Sequence, residues 1–257
     1  MMPPVSLPAT PSRGLRHERF AFVAVLFVVW MAVTLVGELV MANLAGTDLH
    51  GLATSAPLYP VMAAAVLLLV VGLFRGWLGQ IGLGLPHSWR LYGLPAAVTV
   101  VGLIVTLFAG VPAALGLVFL NAMAVGLSEE LMFRGILDRW FRSAIGLVKG
   151  VVVVAVVFGA IHAFNAVITG EVAAAATQAA FNALAGLWYG VVRVRGGSIW
   201  PLVVIHGLWD TAVLASGLNG STAGALLLSV GALVLVVYGI ILTVGLVRHQ
   251  GEHGDPA

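Results

Sequence analysis

The chain has 257 residues, of which 61% are hydrophobic and only 9% are charged, and its mean hydropathy is +1.09. A soluble domain usually carries about 25% charged residues, so this chain has too little charge to cover a water-facing surface. The net charge of +2 excludes a basic nucleic-acid-binding groove. Without cysteine, the chain has no disulfide framework, zinc ribbon or thiol nucleophile. The composition predicts an all-α polytopic membrane protein with no nucleic-acid partner.

Eight apolar segments are long enough to cross a hydrocarbon core as helices, which takes about 20 residues. Charges or Gly, Pro and Asn turns bound these segments, which cover residues 20–44, 57–74, 91–110, 112–134, 148–168, 172–192, 198–216 and 222–247. Turns at residues 110–112 and 216–221 divide stretches that would otherwise form helices of nearly double length. Ahead of the first segment, residues 1–19 begin with a proline-rich stretch and are predicted to form a disordered tail.

The basic residues test this count, because cytoplasmic loops are enriched in Lys and Arg. With eight spans, all twelve basic residues fall on the side that carries both termini, including Arg134 and Arg193 in the fourth and sixth loops. The opposite loops hold only Asp48, His50 and Glu171. Usage rich in alanine, valine and glycine points to a prokaryote. We therefore predict an integral protein of a prokaryotic plasma membrane with both termini cytoplasmic.

Ionisable groups inside a membrane span are costly unless they are paired or line a cavity, so each one is a functional candidate. Those in the predicted spans are Glu38, Glu129, Glu130, His162, His206 and Asp210. Glu130 and Arg134 are four residues apart and share a helix face, while Glu129 points about 100° away from Glu130. His206 and Asp210 share a face for the same reason.

The depths of these side chains depend on where the fourth helix ends. If it continues to about Arg142, Glu129 lies about 20 Å from its cytoplasmic end, and His162 lies about as deep in the fifth segment. His206 lies about 12 Å into the seventh. Three helices then bring these residues and Asp210 to comparable depths, within reach of the cytoplasmic side.

Two chemistries fit this set. One is a hydrolytic metal site in which Glu129, His162 and His206 hold one divalent, zinc-like ion with an open position for water. The other uses no metal: Glu129 is the general base on a water, His162 assists, and His206 donates to an oxyanion. Asp210 favours the metal slightly, because a carboxylate ligates a metal but donates to an oxyanion only when protonated. Both chemistries stay open at this point.

Some of these polar residues also have a structural interpretation. The Glu130–Arg134 pair is expected to anchor a helix end, with Arg134 marking the cytoplasmic boundary. Glu38 has no evident partner and is expected to pack or to form a hydrogen bond. Gly186 and Gly190, four residues apart in the sixth segment, are predicted to allow close helix packing.

Three short motifs on three hydrophobic segments resemble those of the CPBP intramembrane proteases. This family of CAAX proteases and bacteriocin-processing enzymes includes the Rce1-type prenyl-protein endopeptidases. The resemblance covers about residues 112–216, and its most specific part is the sequence of residues 128–135, SEELMFRG. In chain order, the motifs are Glu129-Glu130-x-x-x-Arg134, Phe158-x-x-x-His162 and His206-x-x-x-Asp210.

The resemblance implies a CAAX-protease-like bundle of eight helices with Glu129, His162 and His206 as its catalytic core. Asp210 stands where the family has Asn or Asp. The implied supporting residues are Glu130, Arg134 and Phe158, of which Phe158 is a packing or substrate-facing residue. Family members are described both as metalloproteases and as glutamate-dependent proteases, so the resemblance leaves the metal open. The implied substrate is a membrane-associated peptide or protein, which need not be prenylated.

Four regions follow from these patterns: a cytoplasmic tail (1–19), three spans (20–111), a catalytic core of four spans (112–216), and the last span with a cytoplasmic tail (217–257). The predicted activity is that of an intramembrane endopeptidase acting near the cytoplasmic face. One alternative is a proton- or cation-coupled transporter, although the two matching halves common in transporters are not visible. The other is a catalytically silent family member that acts as an immunity or scaffold protein. The substrate and the oligomeric state stay open.

Overall fold

The computed structural model describes residue 15 and residues 18–45 and 58–253 of the chain. Most of the predicted tail, together with Asp48 and His50, lies outside the described residues. The described part is helical and contains no strand. Its helices are α1 (Phe20–Ala45), α2 (Leu58–Phe74), α3 (Arg90–Phe108), α4 (Leu115–Glu130), α5 (Asp138–Ile145), α6 (Leu147–His162), α7 (Asn165–Thr169), α8 (Val172–Gly196), α9 (Trp200–Asn219) and α10 (Thr222–His253).

Each of the eight predicted segments corresponds to one long helix, so the all-α polytopic architecture is confirmed. Within the described chain, six helical stretches are long and apolar enough to cross a membrane. The other two long helices depart from this standard in different ways. Helix α2 is apolar but has only 17 residues, whereas α8 has 25 residues but is less apolar, with Thr177, Gln178 and Asn182 along its length. The chain is thus an integral membrane protein.

The predicted end of the fourth span at residue 134 is wrong. A π-helical segment, Leu131–Leu137, joins α4 to α5, so the helix continues from Leu115 to Ile145. Arg134 lies in this segment with a side-chain exposure of 1%, so it is a buried helical residue and not a loop residue. Arg193, placed in a loop by the charge pattern, is likewise buried in the last turn of α8. The longer fourth helix is the case in which Glu129, His162 and His206 were predicted to lie at comparable depths.

Glycines bring the helices of the site close together. A β-carbon at Gly126 of α4 would lie 2.9 Å from the carbonyl oxygen of Val203 in α9, so only glycine permits this approach. The predicted role of Gly186 and Gly190 in close packing is also supported. A β-carbon at Gly186 would lie 2.7 Å from Cα of Ala155 in α6. A β-carbon at Gly190 would lie 2.8 Å from a side-chain carbon of Val151 in the same helix. Two helix pairs, α4–α9 and α6–α8, are therefore held at short range.

One end of the bundle is tied together by long-range polar contacts. Glu18, before α1, pairs with Arg75, which follows α2. Trp140 of α5 donates its Nε1–H to the carbonyl of Glu18 at 3.1 Å. Arg193 at the end of α8 donates Nε–H to the carbonyl of Arg134 at 3.2 Å. Residues that the charge pattern assigned to one membrane side therefore lie at the same end of the molecule.

Candidate active site

A cavity of about 610 Å³ lies inside the bundle, with most of its lining apolar. All four candidate catalytic residues line it, and they come from three elements: Glu129 from the end of α4, His162 from the end of α6, and His206 and Asp210 from the middle of α9. Helices α1, α8 and α10 supply most of the other walls. The predicted convergence of these residues is thus present as a shared cavity.

His206 has a carboxylate on each side of its ring. Its Nδ1 lies 3.0 Å from Oε1 of Glu130, within hydrogen-bond distance. Its Nε2 lies 3.7 Å from Oε2 of Glu129 and 3.5 Å from Oδ2 of Asp210. The contact with Asp210, one helical turn away, agrees with the shared face predicted from the spacing. The contact with Glu130 was not predicted and makes the second glutamate of the pair a direct partner of the histidine.

The predicted Glu130–Arg134 ion pair is present, with Nη1 of Arg134 3.2 Å from Oε1 of Glu130. Both side chains are almost completely buried. The guanidinium lies over two aromatic rings, 4.0 Å from the ring centre of Phe158 and 4.5 Å from that of Tyr189. Stacking and pairing together compensate a charge that has lost its water. The pair therefore lies in the interior beside His206 and not at the end of a helix.

Phe158 connects the two histidines. Its ring centre is 5.0 Å from that of His162 and 6.1 Å from that of His206, with edge-to-face geometry in both cases. Its backbone carbonyl lies 2.7 Å from Nδ1 of His162, which can only be a hydrogen bond donated by that nitrogen. In neutral His162, Nε2 is therefore the acceptor. Phe158 both packs against the two histidines and lines the cavity.

Glu129 is held from a helix outside the three motifs. Trp30 of α1 donates its Nε1–H to Oγ of Ser128 at 2.9 Å, and both residues are buried. The indole also packs edge-on against Phe133, with ring centres 5.6 Å apart. Oε2 of Glu129 is buried and has no hydrogen-bond partner among the described residues. The residue next to Glu129 is thus anchored to α1, while the Glu129 side chain lines the cavity.

Sequence reasoning missed or undervalued several site residues. Tyr189 is buried, its ring lies against the guanidinium of Arg134, and its ring centre is 5.6 Å from that of His206. It belongs to none of the three motifs, and nothing in the sequence except its aromatic side chain indicates a place in the site. The same holds for Trp30. Glu38 did give a signal, as a lone acid in a span, but was expected only to pack or to form a hydrogen bond. It lines the cavity and interacts electrostatically with Glu129.

In the described part of the chain, the candidate residues are not arranged as a metal site. No group of three His, Cys, Asp or Glu side chains in the described chain is arranged to hold a metal ion. His206 turns both ring nitrogens towards carboxylates, and Nδ1 of His162 is engaged by the carbonyl of Phe158. The zinc-like ion expected as one alternative stays a prediction, with no arrangement of ligands here to support it.

Residues 110–212 match the model of a family described as Type II CAAX prenyl endopeptidase Rce1-like. The predicted family resemblance is confirmed. The match includes all three motifs and every candidate site residue from Glu129 to Asp210, and it leaves α1 to α3 and α10 outside. No curated protein and no solved structure matches the chain. Residues 110–212 are therefore similar to a family of proteases, whose substrates are peptides.

Proposed function

We propose that the chain is an intramembrane endopeptidase that hydrolyses a peptide bond of a membrane-associated peptide or protein, with Glu129 as general base and without a metal ion. One observation carries the proposal. Oε2 of Glu129 is buried beside the cavity without a hydrogen-bond partner in the described chain, 3.7 Å from Nε2 of His206. A carboxylate that lines the cavity and lies next to an imidazole suits a general base acting on a bound water.

In the proposed reaction, a water molecule lies between Glu129 and His162. Glu129 accepts a proton from this water as the water oxygen attacks the carbonyl carbon of the scissile bond. Nε2 of His162 accepts the second hydrogen bond of the water, because Nδ1–H is donated to the carbonyl of Phe158. When the C–N bond breaks, Glu129 returns the proton to the leaving nitrogen.

His206 stabilises the oxyanion in this scheme. It carries a proton on each nitrogen, donates Nδ1–H to Glu130, and donates Nε2–H to the negatively charged oxygen of the tetrahedral intermediate. Asp210, 3.5 Å from Nε2, orients the ring and needs no proton of its own. This removes the reason for which the carboxylate at position 210 favoured a metal.

The decisive experiment compares the wild type with Glu129→Gln on a pool of synthetic apolar peptides of about 20 residues, long enough to span a bilayer. Mass spectrometry identifies new peptide termini after incubation with purified protein in lipid nanodiscs. We expect fragments from the wild type and none from Glu129→Gln. Glu171→Gln, which removes a carboxylate from an exposed residue outside the cavity, is the matched control and keeps full activity.

Two outcomes contradict the proposal. Equal cleavage by Glu129→Gln shows that Glu129 is not the base. A wild type that folds but cleaves no peptide favours the catalytically silent scaffold or immunity protein. The transporter alternative predicts a flux driven by a pH gradient in liposomes. The match to a protease family favours hydrolysis over this alternative.

We infer the orientation from the basic residues. The end of the bundle that joins Glu18, Arg75, Trp140 and Arg193 carries the Lys- and Arg-rich loops, so the positive-inside rule places this end and both termini in the cytoplasm of a prokaryotic cell. Fluorescent-protein and alkaline-phosphatase fusions at each terminus test this. Phosphatase activity at either terminus contradicts it.

A further inference from the structure

Among the described residues of the cavity wall, Glu38 is the one carboxylate that the proposed reaction does not use. It belongs to the face of α1 that also presents Trp30, Met31, Thr34 and Leu35 to the cavity. These positions recur at intervals of about one helical turn, so the whole face is directed inwards. The side chain of Glu38 is partly accessible from the cavity and interacts electrostatically with Glu129.

Nothing in the described chain neutralises Glu38. It forms no hydrogen bond or ion pair there, and no Lys or Arg lines the described part of the cavity. Arg134 does not line the cavity and is paired with Glu130. A carboxylate within a membrane span is costly unless it faces a partner or a water-filled path. In a cavity that also presents Glu129 and Asp210, the missing partner is a cation.

We propose that Glu38 binds a cationic group of the substrate: the side chain of a Lys or Arg, or a free amino group, carried by an otherwise apolar peptide segment. The apolar lining accommodates the rest of the segment, and the acidic wall disfavours a peptide that brings an anion into the cavity. The inference rests on the proposed function only in assuming that a peptide occupies this cavity.

The geometry also limits where that cation lies. Glu38 is eight residues beyond Trp30, or about 12 Å along α1. Trp30 is hydrogen-bonded to Ser128, the neighbour of Glu129, so it marks the level of the base. An extended peptide advances about 3.3 Å per residue, and a lysine side chain adds several ångströms of reach. The basic residue of the substrate is therefore within about four residues of the scissile bond.

A binding experiment tests this without requiring cleavage. All proteins carry Glu129→Gln, so that bound peptides persist. Three dansyl-labelled peptides of about 20 Ala and Leu residues differ only at one central position, which is Lys, norleucine or Glu. Energy transfer from Trp30, Trp188 and Trp209, which line the cavity, reports occupancy. We expect the Lys peptide to bind about tenfold tighter than the norleucine peptide, or about 1.4 kcal/mol, and the Glu peptide to bind weakest.

Adding Glu38→Gln abolishes this preference, because it removes the charge and keeps the shape. Glu38→Asp keeps the charge on a shorter side chain and should retain part of the preference. If both variants lose the preference, misfolding is the cause to test. Monodispersity and thermal melting of the variants provide that test. Glu171→Gln leaves the preference intact. Equal affinity for the Lys and norleucine peptides overturns the proposal, and so does a preference that survives Glu38→Gln. Neither result affects the cleavage test on Glu129, so the two proposals fail separately.

Discussion

Oε1 of Glu130 lies 3.0 Å from Nδ1 of His206 and 3.2 Å from Nη1 of Arg134, so one carboxylate oxygen joins the histidine to the buried arginine. The two adjacent glutamates therefore differ in environment. Glu130 is fully buried and pairs through Oε1, whereas Glu129 lines the cavity and lies 3.7 Å from Nε2 of His206. This division predicts that Glu130 acts mainly on stability and Glu129 mainly on chemistry.

Glu130→Gln is expected to destabilise the fold far more than Glu129→Gln does. The first substitution leaves the guanidinium of Arg134 buried without its counter-charge, and breaking one side of a buried pair costs about 3–5 kcal/mol. The second removes no hydrogen bond of Oε2 within the described chain. Thermal melting of both variants in the same detergent measures the difference. Equal melting temperatures contradict the assignment of Glu130 to the support of the site.

Trp30→Phe is expected to lower turnover more than it weakens substrate affinity. Phenylalanine keeps an aromatic ring against Phe133 but cannot donate to Ser128, so the backbone beside Glu129 loses an anchor. The loss of one such hydrogen bond is worth about 1 kcal/mol. The measurement is kcat and KM on a peptide that the wild type cleaves.

Ser128→Ala removes the same hydrogen bond from the other side and is the partner variant for Trp30→Phe. The double variant should be little worse than either single one, because both substitutions remove one shared contact. Fully additive losses would mean that Trp30 acts through its ring alone.

Gly186→Ala is expected to destabilise the α6–α8 pair by about 1–3 kcal/mol. The added β-carbon would lie 2.7 Å from Cα of Ala155, so the two helices must separate. Gly245→Ala in α10 is the matched control, since a β-carbon there meets open space. Melting curves of the two variants should differ clearly. A Gly186→Ala variant as stable as the control would show that α6 and α8 adjust without strain.

Purified protein is expected to hold no stoichiometric metal and to keep its activity after treatment with a chelator. The reason is the arrangement of the site, in which both nitrogens of His206 face carboxylates and no group of three ligands is set for a metal in the described chain. Elemental mass spectrometry of the wild type and of a His162→Ala/His206→Ala variant provides the measurement. About one zinc-like ion per chain, lost in the variant, would restore the metal mechanism.

Much of the architecture follows from local properties of the chain. Hydropathy and charge locate eight helices, because a span of about 20 apolar residues is stable in a bilayer wherever it occurs. Contacts between residues one helical turn apart, such as His206–Asp210, follow from helix geometry. The three motifs point to the family for a similar reason: each is a short local pattern that needs no knowledge of packing.

The sequence by itself thus determined the helices, the i,i+4 pairs and the identity of the candidate residues. Only the tertiary structure decided which helix faces meet. The contact between Glu130 and His206 spans 76 residues of chain, and that between Trp30 and Ser128 spans 98. Hydropathy does not predict such contacts, because an apolar helix face in a membrane packs against lipid as readily as against another helix. Close packing at glycines and the few buried polar groups select one arrangement, which also directs Glu38 into the cavity.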